Sequence, residues 1–243
     1  MPRKSPSLRI ETRHRPEAVL KQAIAVLAKH NIGSRGHGLT SPFELIVWEN
    51  VGYLVDDVRR GKLFEEFKTR VGVSALAMSK ASDKLLLGLA QQGGMRPEER
   101  VVKWRRIASI TLERAGGNLD DTLMQLPVAK AAALLKAYPS IGETGVDRIL
   151  LLSGLDIRPA IDSNGLRVLL RLGFVDEGRS YSVSYRAAKA ELVSQGKQTR
   201  DWFSTAFHVL QAHGRAVCKR SAPLCADCPL QTMCEQRALK GLY

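Results

Sequence analysis

The stretch from Leu135 to Val168 constrains this chain most. An alanine- and leucine-rich helical run, Val128 to Tyr138, is stopped by Pro139, which cannot continue a helix. The chain turns through Ser140, Ile141 and Gly142, then resumes as an apolar helix to Ser153. Gly142 lets the backbone of the turn approach another molecule closely. The second helix directs its free N–H groups at the same place, which suits a phosphate. Past Gly154 a short loop leads to Asp162, just before a further helix that opens at Ser163. The pattern therefore predicts a carboxylate held at a fixed distance from a phosphate-gripping turn.

The partner implied by composition agrees. Thirty-seven basic residues against 24 acidic ones give a net charge of +13 in 243 residues, and such an excess favours a polyanion. Nucleic acid is the first candidate and a membrane surface the second. No apolar run approaches the ~20 residues of a membrane span. The basic start is followed by Arg13, His14, Arg15 and Pro16 rather than by the apolar stretch of a signal peptide, so an intracellular protein without a membrane partner is expected.

All four cysteines lie in the last 26 residues, at Cys218, Cys225, Cys228 and Cys234. In a reducing compartment such clustering points to a metal site rather than to disulfides. The spacing C-x6-C-x2-C-x5-C can hold zinc or a cubane cluster. Only Cys225 and Cys228 form the close pair that zinc modules usually offer twice, so spacing leans to [4Fe-4S]. Lys219 and Arg220 would project from this loop as phosphate contacts.

The remaining elements read as helices, and no stretch alternates as a strand would. Residues 1 to 15 form a basic arm. A first helix runs from Pro16 or Glu17 to His30, with Leu20, Ala23, Ile24 and Leu27 on one face. Ser41, Pro42 and Glu44 make a capping box, predicting a second helix to about Arg59 with the stripe Phe43, Val47, Val51, Leu54 and Val58. Shorter helices follow at Leu63 to Arg70, from Ser74, at Ser82 to Gln92, Pro97 to Ala115 and Asn118 to Leu126. Beyond Asp162 they are expected at Ser163 to Leu172, Tyr181 to Gln195 and Arg200 to His213. Too few residues follow Cys234 for a further domain.

Glu49 lies off the stripe of the second helix, with Leu45, Ile46, Gly52 and Tyr53 as its helical neighbours. A carboxyl in such company is a candidate general acid, against the alternative of a solvated surface glutamate. His30, His37, His208 and His213 show no metal-ligand spacing.

The hairpin at Pro139 to Gly142, an aspartate about twenty residues on, and the cysteine loop occur in this order in one family. The chain resembles the helix-hairpin-helix DNA glycosylases of the endonuclease III superfamily, over roughly Pro16 to Cys234. Ser140 departs from that family's pattern, which usually has glycine there. The resemblance implies an all-α, two-domain fold. A six-helix domain (41–155), with its hairpin at about 128–154, is inserted into a [4Fe-4S] cluster domain made of residues 1–40 and 156–243. It also implies a monomer that grips double-stranded DNA carrying a lesion or mismatch, with Ser140, Ile141 and Gly142 on the phosphates. The cluster would be mainly structural and held by Cys218, Cys225, Cys228 and Cys234.

By the same resemblance Asp162 matches the family's essential aspartate, although it could simply cap the helix at Ser163. Breaking a base–sugar bond builds oxocarbenium character that a nearby carboxylate stabilises. Thr144 stands where bifunctional members carry a lysine, and a hydroxyl cannot form a Schiff base, so a glycosylase without lyase activity is expected. Counting from Pro42, Glu49 stands where the adenine glycosylases of the superfamily carry their proton donor. Tyr53 and Leu54 replace the glutamines that enter the duplex there, and the C-terminal domain that reads oxidised guanine is missing. Tyr53, and with equal ambiguity Tyr138, could line a base pocket, wedge into the stack, or belong to the core. The competing functions are a glycosylase with lyase activity, a non-catalytic iron–sulfur DNA-binding protein and a zinc module.

Overall fold

The computed structural model of the chain describes residues 17–30, 38–195 and 197–235. They form twelve helices in the order α1 (Glu17–His30), α2 (Pro42–Val51), α3 (Asp57–Arg70), α4 (Ala75–Lys80), α5 (Asp83–Gln92) and α6 (Pro97–Ala115). After these come α7 (Leu119–Gln125), α8 (Val128–Leu135), α9 (Glu143–Ser153), α10 (Ser163–Leu172), α11 (Tyr181–Gln195) and α12 (Arg200–Ala216). A single 3-10 turn, Gln231–Met233, follows. Among the described residues there is no strand, only an isolated bridge between Tyr53 and Gly94. None of these helices is long and apolar enough to cross a membrane. The basic arm of residues 1 to 15, and His37, lie outside the described residues.

Local chemistry sets most boundaries. Ser41, Asp56, Ser74, Ser82 and Asn118 each accept a hydrogen bond from the backbone N–H three residues on, capping α2, α3, α4, α5 and α7. Gly116, Gly154 and Gly173 close α6, α9 and α10 with positive φ.

The chain divides into two compact units. Residues 17–30, 161–195 and 209–235 form one; residues 38–160 with 197–208 form the other. In chain order the second interrupts the first. The second unit is built around α6, whose Trp104 is fully buried, meets Phe67 edge-on at 4.8 Å between ring centroids, and donates its indole N–H to Asn50 O at 3.0 Å. In the first unit α1 packs on α11, and its stripe of Leu20, Ala23, Ile24 and Leu27 is buried as its periodicity predicts.

Two predicted helices end early. The second stops at Val51 rather than near Arg59, because Gly52 is extended and the next residues are claimed by another loop. Tyr53 N–H donates to Gly93 O at 2.9 Å, Leu54 turns through φ +57°, and Asp56 caps a new helix that also takes in Leu63 to Arg70. A Cβ on Gly93 would meet Val51 O at 2.3 Å, and one on Gly94 would meet Tyr53 O at 2.4 Å. The two loops thus meet backbone to backbone, which a helix through this point would prevent. Leu54 and Val58 therefore leave the expected stripe and are 74% and 71% exposed. The helix before the hairpin ends at Leu135 rather than Tyr138, and Tyr138 is buried, hydrogen-bonded to Thr111 at 2.9 Å. It is a core residue.

Candidate functional site

The hairpin and Glu49 belong to the second unit. Residue 140, not Gly142, adopts the left-handed conformation of the turn: Ser140 has φ +63°, whereas Gly142 is an extended N-cap at φ −88°. Ser140 is exposed, and its Oγ accepts from Lys103 Nζ at 3.1 Å. Ile141 is buried and its N–H donates to Tyr138 O within the turn. A Cβ at Gly142 would meet nothing within 4 Å. With no side chain capping α9, its first amides remain available to an anion. Thr144, half-buried, lies in the same first turn. Ser140→Gly should raise stability by up to about 1 kcal/mol by removing the left-handed penalty of an L-residue. Thermal denaturation of the purified variant checks this as a rise in Tm of a few degrees.

Glu49 does not have the apolar surroundings that its helical register suggested. Its Oε1 is 2.7 Å from Arg148 Nη1 on α9 and 3.9 Å from Arg60 Nη1 on α3, so packing brings two cations where sequence neighbours were hydrocarbon. Glu49 also lines a cleft of about 210 Å³ whose wall includes Tyr53, Met95, Arg96, Lys103 and Ser140. Tyr53 is half exposed and lies beyond the end of α2, in the loop pinned to Gly93. Beside it, Leu54 carries an exposed apolar side chain on a left-handed backbone, a strained conformation for an L-residue. The cleft walls carry three further cations, Arg96, Arg100 and Lys103.

Asp162 and the cysteines belong to the first unit. Asp162 caps α10: its Oδ1 accepts from the backbone N–H of Asn164 at 2.9 Å and of Gly165 at 2.8 Å. Its Oδ2 accepts from Asn164 Nδ2 at 2.9 Å and Gln211 Nε2 at 3.0 Å, with Arg215 Nη2 at 3.9 Å. The carboxylate is partly exposed, so it is oriented by the protein and still accessible.

Asn164 Oδ1 accepts from Arg167 Nη2 at 2.9 Å, and Arg167 Nε donates to Cys218 O at 2.9 Å. One turn on, Arg171 donates to Lys219 O at 2.7 Å and to Cys218 Sγ at 3.4 Å. Two arginines at i and i+4 thereby tie the α10 helix to the start of the cysteine loop. None of these partners was found from sequence; the Arg167 and Arg171 spacing was visible, but its acceptors are main-chain carbonyls far along the chain.

None of the four cysteines is in a disulfide, and all are half-buried. Burial pushes the Cys228 thiol up, and the charges of Cys218, Cys234 and Cys225 push it the same way, so the four are electrostatic neighbours. Among the described residues no three potential ligands converge closely enough to hold a single metal ion. His213, which spacing set aside, is buried with Nε2 3.6 Å from Cys228 Sγ; burial lowers its pKa to about 4 and keeps the ring neutral. Lys219 and Arg220 are exposed.

No protein-family model matches the chain. It is 28% identical over 213 residues to an endonuclease III of Thermotoga maritima, covering 85% of this chain and 89% of that protein. It is 27% identical over 124 residues to an endonuclease III of Sulfolobus acidocaldarius, covering 47% and 49%. Its fold matches an endonuclease III trapped as a covalent intermediate with DNA, with a TM-score of 0.74, 16% identity and 93% and 99% of the two chains covered. It also matches a thermostable thymine-DNA glycosylase, with a TM-score of 0.72, 12% identity and 91% and 98% covered. With the hairpin, the capped aspartate and the cysteine loop in the order expected, the chain is similar in sequence to endonuclease III and shares its helix-hairpin-helix fold.

Proposed function

We propose that this protein is a DNA N-glycosylase of base excision repair that removes a damaged or mismatched base and leaves the strand unbroken. The observation that carries this reading is the Asp162 carboxylate, fixed by four hydrogen bonds yet partly exposed. A bond to a base inside a duplex is reached only after the nucleotide is flipped out. As the base–C1′ bond breaks, its electron pair leaves with the base and C1′ becomes an oxocarbenium. Asp162 stabilises that cation and orients a water, which adds to C1′ and loses a proton, giving an abasic site and the free base.

Glu49 is proposed as the group that hands a proton to the departing base, on the family resemblance and its place in the cleft; the neighbouring Arg148 and Arg60 favour its carboxylate and do not support the role. Tyr53 is proposed to contact the flipped base or to fill its place in the stack. Ser140, Gly142 and the open amides of α9 bind phosphate, as do Lys219 and Arg220, so affinity falls steeply with salt. Cys218, Cys225, Cys228 and Cys234 would hold a [4Fe-4S] cluster, a role that four thiols without disulfides fit. When bound, the cluster supplies a rigid anchor for the loop that bears Lys219 and Arg220.

Thr144 underlies the expectation that no strand nicking occurs, because it offers no amine for a Schiff base. The test is a panel of end-labelled duplexes, each with one mismatch or damaged base, incubated with the cluster-loaded protein and then split with or without hot alkali. Cleavage after alkali alone is the expected result. Cleavage without alkali, with trapping by borohydride, would overturn the hydrolytic reading in favour of a lyase. Binding to DNA with no base released from any duplex would overturn the glycosylase reading itself.

A further inference from the structure

The acceptors of Asp162 are used by the protein in an asymmetric way. Oδ1 is held by the two backbone N–H groups that begin α10, a contact any N-cap makes. Oδ2 is held by side chains alone, from Asn164 on the same turn and from Gln211 on α12. Gln211 therefore donates a hydrogen bond to this carboxylate from a different helix, with Arg215 of the same helix at ion-pair distance.

The two helices meet where each carries a glycine. A Cβ on Gly165 of α10 would lie 3.2 Å from Leu210 Cβ, and a Cβ on Gly214 of α12 would lie 2.6 Å from Asn164 O. Residues 211, 214 and 215 are one turn apart on α12, so a single face presents Gln211 to Oδ2, brings Gly214 O within 2.7 Å of Arg167 Nη2, and sets Arg215 at 3.9 Å from Oδ2. The glycines let α12 come backbone-close to α10, which brings the Gln211 amide within hydrogen-bond reach of the carboxylate.

We propose that Gln211 is a positioning residue for the glycosylase reaction: it fixes the plane of the Asp162 carboxylate so that the charge faces the sugar cation. The proposal rests on the function argued above. It assigns Gln211 no contact with substrate; the amide acts only through Asp162. Without Gln211, Oδ2 would be held only by the Asn164 side chain of the same turn, which can move with it, so the carboxylate could tilt about its Cβ–Cγ bond. Electrostatic stabilisation depends on that oxygen being in place before the bond breaks. The charged or titratable groups that face Asp162 are Arg215 on α12, Arg167 on its own helix and Tyr181 at the start of α11, and the Tyr181 phenol is held above its usual range by burial and then by the Asp162 charge.

The experiment compares wild type, Gln211→Leu and Gln211→Glu as cluster-loaded proteins of equal helix content. Single-turnover excision is followed from low to high pH on the duplex that wild type cleaves. Affinity is measured for two duplexes, one with a cationic pyrrolidine in place of the target sugar and one with neutral tetrahydrofuran. Gln211→Leu is expected to lower kcat about tenfold, leave KM within about twofold, and reduce the preference for the cationic duplex by a similar factor. Gln211→Glu sets a second carboxylate against Oδ2. Like charge disfavours ionisation, so the acid limb of kcat moves to higher pH. Folded Gln211→Leu with unchanged kcat and unchanged preference, beside an active wild type, would overturn the positioning role alone. A wild type that neither excises a base nor prefers the cation would overturn the glycosylase reading, and this proposal with it.

Discussion

Replacing Asp162 by Asn is expected to slow base excision by about 10³-fold or more in single turnover, because the amide keeps the shape of the carboxylate and loses the charge that offsets the sugar cation. The fold should survive. Asn caps a helix about as well as Asp, so the bonds from Asn164 N–H and Gly165 N–H to Oδ1 can be kept. The cost falls on the other oxygen, where a new NH2 would face the amides of Asn164 and Gln211. Gln211 can turn its carbonyl to meet it, but Asn164 Oδ1 is already committed to Arg167, so one donor is left facing another. That mismatch is worth about 1–3 kcal/mol. Circular dichroism through the thermal transition should therefore show a modest fall in Tm beside a near-complete loss of excision. Full activity in the folded variant would reduce Asp162 to a cap.

The second large effect is expected at the cysteines. Cys228→Ala removes one of the four thiols, and with it the broad absorption near 400 nm of a cluster-loaded preparation. Cys228 is half-buried, among the charges of the other three and against His213, so the alanine leaves the rest of the loop without its common anchor. Lys219 and Arg220 would lose their fixed places. The slope of log affinity against log salt should then shrink by about two, one for each cation. The arginine bonds run from this loop to Asn164 and so to Asp162, and excision is expected to fall further than binding does. Absorption spectra, a salt titration of duplex binding and the excision rate of one preparation check the three parts. An unchanged 400 nm band in Cys228→Ala would rule that thiol out as a cluster ligand.

Much of this molecule is local and so was legible in the sequence. Helix starts follow from caps that act within three residues, as at Ser41, Ser74, Ser82 and Asn118, and helix ends from glycines that accept positive φ at no cost. The hairpin, the aspartate before α10 and the spacing of the cysteines are likewise fixed by order along the chain. These features also carried the resemblance to the endonuclease III superfamily.

Where the sequence misled, a contact from far along the chain had overridden a local signal. The apolar stripe through Leu54 and Val58 predicts one helix, yet the close approach of Gly93 and Gly94 turns the chain at Gly52 and puts both side chains outside. Helical register surrounds Glu49 with the apolar neighbours of its own helix, whereas Arg60 and Arg148 pair with its carboxylate. At the hairpin a serine holds the left-handed position against intrinsic preference, with Lys103 on its hydroxyl. Periodicity and caps act within a turn or two, so the sequence by itself determined the elements and the order of the chemical groups. The partners of Asp162, Glu49 and the cysteine loop are brought in by helix packing across dozens of residues, and only the tertiary structure decided them.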